Sequence, residues 1–311
     1  MRKLTALFVL IAGTVVLGQA RSPVPAPPGL DVLAAQVILD RVGFSPGEID
    51  GMAGANFRRA IDAFQRANNL AASGHLDPAT VAALAPLGGQ EPTLLPYAIT
   101  EADVAGPFAP HIPRELMAQS ALPRLDYRNP LEAIAERAHA SPGLLKRLNP
   151  GASFTRAGEQ IQLPNVASLP PALGVYAARI VVTKATSALT VEDDQGRTLF
   201  HAPVTSGSTH DPLPIGDWKV TSIHELPPFH YNPDLFWDAS PKDSKTRLAP
   251  GPNNPVGVMW IDISKEHYGI HGTPEPAVVG HTQSHGCIRL TNWDVRRVAH
   301  WARPGMAVVF R

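Results

Sequence analysis

Apolar positions recur with a helical period through the first part of the chain. Leu33, Val37 and Val42, with Ile38 and Leu39 between them, form one face that ends at Gly43. Ser45-Pro46-Gly47 and Asp50-Gly51 are turns, and a second helix presents Ile61, Phe64 and Leu70. After Gly74, Asp77 and Pro78 open a third helix as N-cap and first-turn proline, with Val81, Ala82 and Leu84 on it. The period is lost over residues 88–123, where prolines at 92, 96, 107, 110, 113 and 123 predict a linker with one short helix near Arg114–Ser120. It returns at Leu131–Arg137 and, behind the Ser141-Pro142 start signal, at Leu144, Leu145 and Leu148; Gly158–Pro164 then reads as a short closing strand.

Beyond Pro170-Pro171 the pattern turns to alternation. Strands are expected at Arg179–Lys184, at Ala188–Glu192 and Thr198–Ala202 across a hairpin turn, then at Val204–Gly207, Asp217–Ile223, Gly257–Ile263, Tyr268–His271 and Met306–Phe310. One helix, Asn292–Ala302, carries Trp293, Val295, Val298 and Trp301. This predicts a mainly-β, sandwich- or barrel-like domain with a helix near its C-terminal end. The whole is a multidomain chain: an all-α three-helix module (30–87), a linker (88–123), a small α+β module (124–166) and the β domain (178–311). The long Pro227–Pro255 segment is rich in aromatics, and a connection of that length reads as a lid or substrate wall. Tyr231, Trp237 and Asn254, with Trp260 on the next strand, are its candidate substrate-lining residues.

Composition narrows the function. Lys+Arg and Asp+Glu number 27 each, and there is no basic stripe, so a nucleic-acid partner is not indicated. Arg2-Lys3, the apolar run Leu4–Leu17 and Gly18-Gln19-Ala20 read as a signal peptide over residues 1–20. The run is shorter than the ~20 residues a membrane span needs, so an exported, soluble protein of the periplasm or cell wall is expected. Export gives meaning to the single cysteine: one Cys forms no intrachain disulfide, which leaves intermolecular pairing or a reactive thiol.

That cysteine, Cys287, lies in Ile270–Leu290 together with His271, His281 and His285. A zinc site built from His271, His285 and Cys287 is one reading; no Glu follows His281 as the common zinc-hydrolase motif requires. The other reading is a nucleophile. Gly286 permits a tight turn, and the amides of Gly286 and Cys287 would face a developing oxyanion. A thiol of pKa ~8.5 is activated by pairing with imidazolium. Either His271, at the end of a predicted strand, or His285 would be the partner.

His271-Gly272-Thr273 and Ser284-His285-Gly286-Cys287-Ile288-Arg289, with Pro250–Gly257 and Leu213–Trp218 upstream, resemble the signature of the YkuD-type L,D-transpeptidase catalytic domain. The resemblance implies Cys287 as nucleophile, His271 as general base and later acid, and the Gly272 carbonyl as the group orienting the imidazole. Ser284, His285 and Gly286 would shape the site, and Arg289 would steady the motif or meet a substrate carboxylate. It implies no cofactor and no metal.

Ile49-Asp50-Gly51, Gly54, Ala60-Ile61, Ala63-Phe64-Gln65, Leu70, Gly74 and Thr80 resemble a peptidoglycan-binding domain, from which Ala53 and Phe57 depart. Leu131, Ile134, Ala135, Ser141, Leu145, Leu148, Asn149, Gly158 and Ile161–Pro164 resemble a LysM module whose opening strand would fall at Leu125–Pro130. Together these imply an enzyme that takes peptidoglycan tetrapeptide stems through a thioester, forms 3→3 crosslinks or attaches a protein to the wall, and has stem peptides and glycan as partners. With water as acceptor, the same site would be an L,D-carboxypeptidase or endopeptidase. A zinc hydrolase and a non-catalytic wall-binding protein are the remaining readings.

Overall fold

The computed structural model describes residues 30–167 and 175–311. The expected signal peptide and the Pro170-Pro171 break lie outside the described residues. Three helices come first: α1 (Val32–Arg41), α2 (Ala55–Ala67) and α3 (Pro78–Gly88). Asp31 accepts from the Ala34 amide and Asp77 from that of Thr80, so α1 and α3 each satisfy a first-turn donor. Leu39, Phe57, Ile61, Phe64 and Leu84 are buried between them, and Phe44 meets Phe64 edge to face at 5.5 Å.

The segment expected to be a linker is folded. It contains β1 (Leu94–Ala98), α4 (Glu101–Ala105) and α5 (Leu116–Gln119). These precede α6 (Pro130–Arg137), α7 (Pro142–Leu148) and β2 (Gln160–Pro164). β1 pairs antiparallel with β2, Leu94 opposite Pro164 and Ala98 opposite Gln160. The strand that opens this β-α-α-β unit is therefore Leu94–Ala98, not Leu125–Pro130. Pro96 hid it, because a proline argues against a strand, yet it is tolerated in a two-stranded sheet where one edge stays unpaired. The core of the unit, Ile99, Ile134, Leu144, Leu145 and Ile161, also takes in Val37 and Ile49 of the helical module.

The C-terminal domain runs β3 (Arg179–Thr183), β4 (Ala188–Glu192), β5 (Thr198–Pro203), β6 (Thr205–Ser206), β7 (Gly216–Glu225), β8 (Phe229–Tyr231), β9 (Thr246–Leu248), β10 (Met259–Ile263), β11 (Gly269–His271), β12 (Ile288–Arg289), α8 (Asn292–Trp301) and β13 (Ala307–Phe310). Nine strands form one sheet in the order β5-β4-β3-β13-β7-β10-β11-β12-β6. The first half of β7 pairs with β13 and its second half with β10, so this one strand joins two halves of the sheet. Both halves feed a single core: Ile180, Leu189 and Phe200 from one, Ile261, Ile270 and Ile288 from the other, with Val295 and Val298 of α8 against them. Inside the long aromatic segment, β8 and β9 form a separate hairpin.

The modules are not strung loosely. Helix α8 docks on both N-terminal units. Arg297 forks onto Asp40 of α1 at 3.0 and 2.8 Å, and His139 Nδ1 reaches the same carboxylate at 3.1 Å. Asp40 is fully buried. The Ser45 hydroxyl meets Asp294 at 3.0 Å, Asn292 donates to Glu136 at 2.9 Å, and Trp293 stacks on His139 at 5.2 Å. Backbone bonds Ser45 N to His201 O and His201 N to Gly43 O extend the contact to β5.

Candidate active site

Two short strands place the chemistry. β11 and β12 run parallel, with Ile270 opposite Ile288 and His271 opposite Arg289. Side chains alternate across a strand. Ile270 and Ile288 therefore point into the core, where both are fully buried. His271 and Arg289 share the opposite face, and Cys287, two positions before Arg289, lies on it with them. The sequence separates base and thiol by a long loop, and the parallel register returns both to one face of the sheet, with Arg289 opposite His271 and the thiol 3.7 Å from the His267 carbonyl.

The imidazole is fixed. His271 Nδ1 donates to the Gly272 carbonyl at 2.7 Å, which leaves Nε2 as the acceptor. Trp260 on β10 is paired with His271, and its indole stacks on the imidazole at 5.4 Å and 17°. The indole is itself anchored, Nε1 donating to Asp262 at 2.6 Å. Gly269 makes room for it: a Cβ there would stand 2.4 Å from the Trp260 ring. Behind the site, Asn292 accepts from the Val258 amide and packs against Gly272, where a Cβ would come 2.3 Å from its Oδ1. A substituent at Gly272 would thus displace the carbonyl that orients the base.

The turn before the thiol is equally constrained. Gly286 has φ +100°, and a Cβ on it would meet the Tyr268 ring at 2.5 Å. Ser284 accepts from the Gly207 amide and donates to the Cys287 carbonyl, both at 2.7 Å, so it shapes the loop and does not face a substrate. His285 turns away toward the aromatic segment, with Nε2 2.8 Å from Asp238 and its ring edge-on to Phe236 at 5.0 Å. His281 is exposed beside the helical module. His271, His285 and Cys287 do not converge, and among the described residues no group of three His, Cys, Asp or Glu side chains is gathered to hold a metal.

Burial sets the resting charges. It pushes His271 down to about 3, and the Arg289 guanidinium adds to this. It also pushes the Cys287 thiol up, against the opposing pull of the Gly269 amide and Arg289. Both shifts favour the neutral thiol and the neutral imidazole over an imidazolium-activated thiolate. The sulfur remains partly accessible. Arg289 is lowered by its own burial, and its Nε has no hydrogen-bond partner among the described residues.

The expected lining residues divide. Trp260 is in the site, as the stacking partner of the base. Trp237 is 60% exposed and stacks on His210 at 4.9 Å, over the same loop region as His285. Tyr231 and Asn254 are corrected: both are buried and serve the segment's own base. Tyr231 packs with Leu125 and Leu248 and donates to Asp243, while Asn254 bridges the Ala249 carbonyl and the Val256 amide. Sequence reasoning missed Asp262, Tyr268 and Asn292. Only the alternation through Trp260 and Asp262 offered a signal, by putting both on the His271 face.

The domain is mainly β, with the carbonyl-oriented His271 ending one strand and Cys287 immediately before its parallel neighbour. Residues 177–310 match the family model described as the L,D-transpeptidase catalytic domain, and residues 28–84 match that of the "Putative peptidoglycan binding domain". The chain thus carries a catalytic domain of the L,D-transpeptidase type behind a domain of the peptidoglycan-binding type.

Among relatives, the Bacillus licheniformis protein named "Putative L,D-transpeptidase YkuD" is 50% identical over 50 residues, covering 16% of this chain and 30% of that protein. The Bacillus subtilis protein named "Putative L,D-transpeptidase YqjB" is 31% identical over 121 residues, covering 37% and 61%. The match thus spans about a third of the first relative's length. A solved L,D-transpeptidase from Xylanimonas cellulosilytica aligns at TM-score 0.40 and 16% identity over 93% of this chain and all of that one.

Proposed function

We propose that the protein is an exported cell-wall L,D-transpeptidase working through a thioester on Cys287. The observation that carries this reading is the β11–β12 register, with Nδ1 of His271 committed to the Gly272 carbonyl and Nε2 left to the thiol face. Because burial favours the neutral pair, the thiol proton moves to Nε2 as sulfur attacks the carbonyl between the L-centre of diaminopimelate and the terminal D-alanine of a tetrapeptide stem. The amides of Gly286 and Cys287 receive the developing oxyanion. The imidazolium returns its proton to the departing D-alanine amine, and the thioester remains. An amine from a second stem, or from a wall protein, then attacks the thioester. The C–N bond forms, the C–S bond breaks, and the amine's proton passes through His271 to the sulfur. Arg289, with a buried Nε that has no partner among the described residues, suits a substrate carboxylate.

The helical module and the β-α-α-β unit, which we assign as a LysM-like module, would hold the enzyme on glycan. That raises the local concentration of stems without adding contacts at the thiol. The test is mass analysis of products from purified disaccharide-tetrapeptides. Dimers lacking one D-alanine are expected from the native protein, and none from Cys287→Ala, which should retain its fold and its binding to isolated walls. Tripeptide monomers alone would mean that water collects the acyl group, and crosslinking by the Cys287→Ala protein would sink the thiol mechanism.

A further inference from the structure

We infer that Asp262 selects a cationic amine as the group that collects the acyl chain from Cys287. The inference rests on the transpeptidase reading and assigns its acceptor side. Two rows of residues cross the sheet at right angles to the strands. One contains His224, Trp260, His271 and Arg289, set by the pairings of β7, β10, β11 and β12. The other contains Ser222, Asp262 and Gly269 and ends beside Cys287, the residue before the Ile288–Ile270 pair. Neighbouring strands are about 4.8 Å apart, so Asp262 lies about 10 Å from the cysteine backbone, two strands away. Gly269 stands between them and has no side chain.

That gap has a floor. The Trp260 indole lies over Gly269, since a Cβ there would overlap it. The carboxylate at the far end is oriented yet open. It accepts from Trp260 Nε1 at 2.6 Å and from the Ser222 hydroxyl at 2.9 Å, and it remains 40% exposed. Its one ion-pair neighbour among the described residues is His224, at 3.5 Å and itself more than half exposed. Among the described residues no lysine or arginine forms an ion pair with it. The charge is also felt at the thiol, where it disfavours the thiolate.

An ordered carboxylate beside an indole, opening toward a nucleophile, is a recognition site for an ammonium group. Water, the competing acceptor, is neutral and gains nothing from it. The site therefore discriminates by favouring one competitor and not the other. An R–NH₃⁺ group collected at Asp262 loses one proton to solvent and moves over the indole as R–NH₂. Its nitrogen attacks the thioester carbonyl, the C–S bond breaks, and its second proton reaches the sulfur through His271 Nε2. The products are the amide and the free thiol.

The experiment uses the full chain with disaccharide-tetrapeptide as both donor and acceptor, and hydroxylamine, uncharged at neutral pH, as a second nucleophile. Asp262→Asn keeps an oxygen for the Trp260 indole but removes the charge. The ratio of dimer to hydrolysed tripeptide should fall roughly five- to tenfold at low ionic strength, and the difference from wild type should shrink as salt is added. The dimer-to-tripeptide ratio should fall by more than the rates of thioester formation and of hydroxylamine capture change, and Asp262→Glu should recover most of the dimer. An unchanged ratio in Asp262→Asn overturns the inference. So does a proportional fall in acylation, hydroxylamine capture and dimer formation together, which would make Asp262 only the clamp of Trp260. Wild-type protein that never forms a thioester overturns the transpeptidase reading itself, and intact-protein mass distinguishes that outcome from the other two.

Discussion

Asp40→Asn should uncouple the helical module from the catalytic domain. The carboxylate is fully buried and receives two charged hydrogen bonds from Arg297 and one from His139. Burial alone would push Asp40 up, but Arg297 and His139 overcome it and hold the group at about 2 against an ordinary 3.8. That difference corresponds to roughly 2.5 kcal/mol of stability. Because the folded-state pKa is the lower one, this stability is fully present above about pH 4 and is lost as pH falls through about 2. The neutral amide also removes the charge that the nearly buried Arg297 meets at Asp40. Breaking a buried pair from one side costs about 3–5 kcal/mol.

Urea unfolding followed by tryptophan fluorescence reports this directly, since Trp293 stacks on His139 at the junction. The native protein should unfold in one transition between pH 5 and 7. Asp40→Asn should lower its free energy by about 3–5 kcal/mol, or split it in two. The double variant Asp40→Leu/Arg297→Met, which removes both members of this ion pair, should recover to within about 2 kcal/mol of the native value. A loss below 1 kcal/mol in Asp40→Asn, or a double variant no better than the single, would refute the account of the junction.

Two further outcomes concern the site. Alkylation of Cys287 by iodoacetamide should be slow and climb about tenfold per pH unit from pH 4 through 7, levelling only above the ordinary thiol range, because burial raises the thiol and keeps His271 neutral down to about 3. An acidic inflection followed by a reactive plateau would instead reveal a thiolate–imidazolium pair. Gly286→Ala forces a side chain into the Tyr268 ring at φ +100° and should lower kcat/KM about a hundredfold, with a stability loss of about 1–3 kcal/mol by thermal melting. Unchanged kcat/KM would mean that the turn tolerates rearrangement.

Much of the site was legible because its residues are separated by a regular strand geometry. The Cys287 motif, the strand ending at His271 and the glycines around them could be read locally; the pairing of that strand with β12 could not. What stayed hidden was long-range. Nothing along the sequence links Asp40 to Arg297; only docking turns them into a buried pair. Leu94–Ala98 lacks alternation and contains Pro96, so it became a strand through its partner β2, not through its own pattern. Tyr231 and Asn254 resemble lining residues by type, yet their polar atoms are consumed within their own loop. The ionisation of the His–Cys pair also followed from burial, which residue spacing does not report.

The docking of α8 has a mechanical consequence. The helix begins two residues after β12, and Ser45, Asp40, His139 and Glu136 of the N-terminal units all bond to it or stack on it. The thiol and the glycan-holding units that we propose are thereby set at a fixed separation, as the jaws of a caliper are. Such an enzyme would measure out stems from where it is held, choosing among them by distance before chemistry begins.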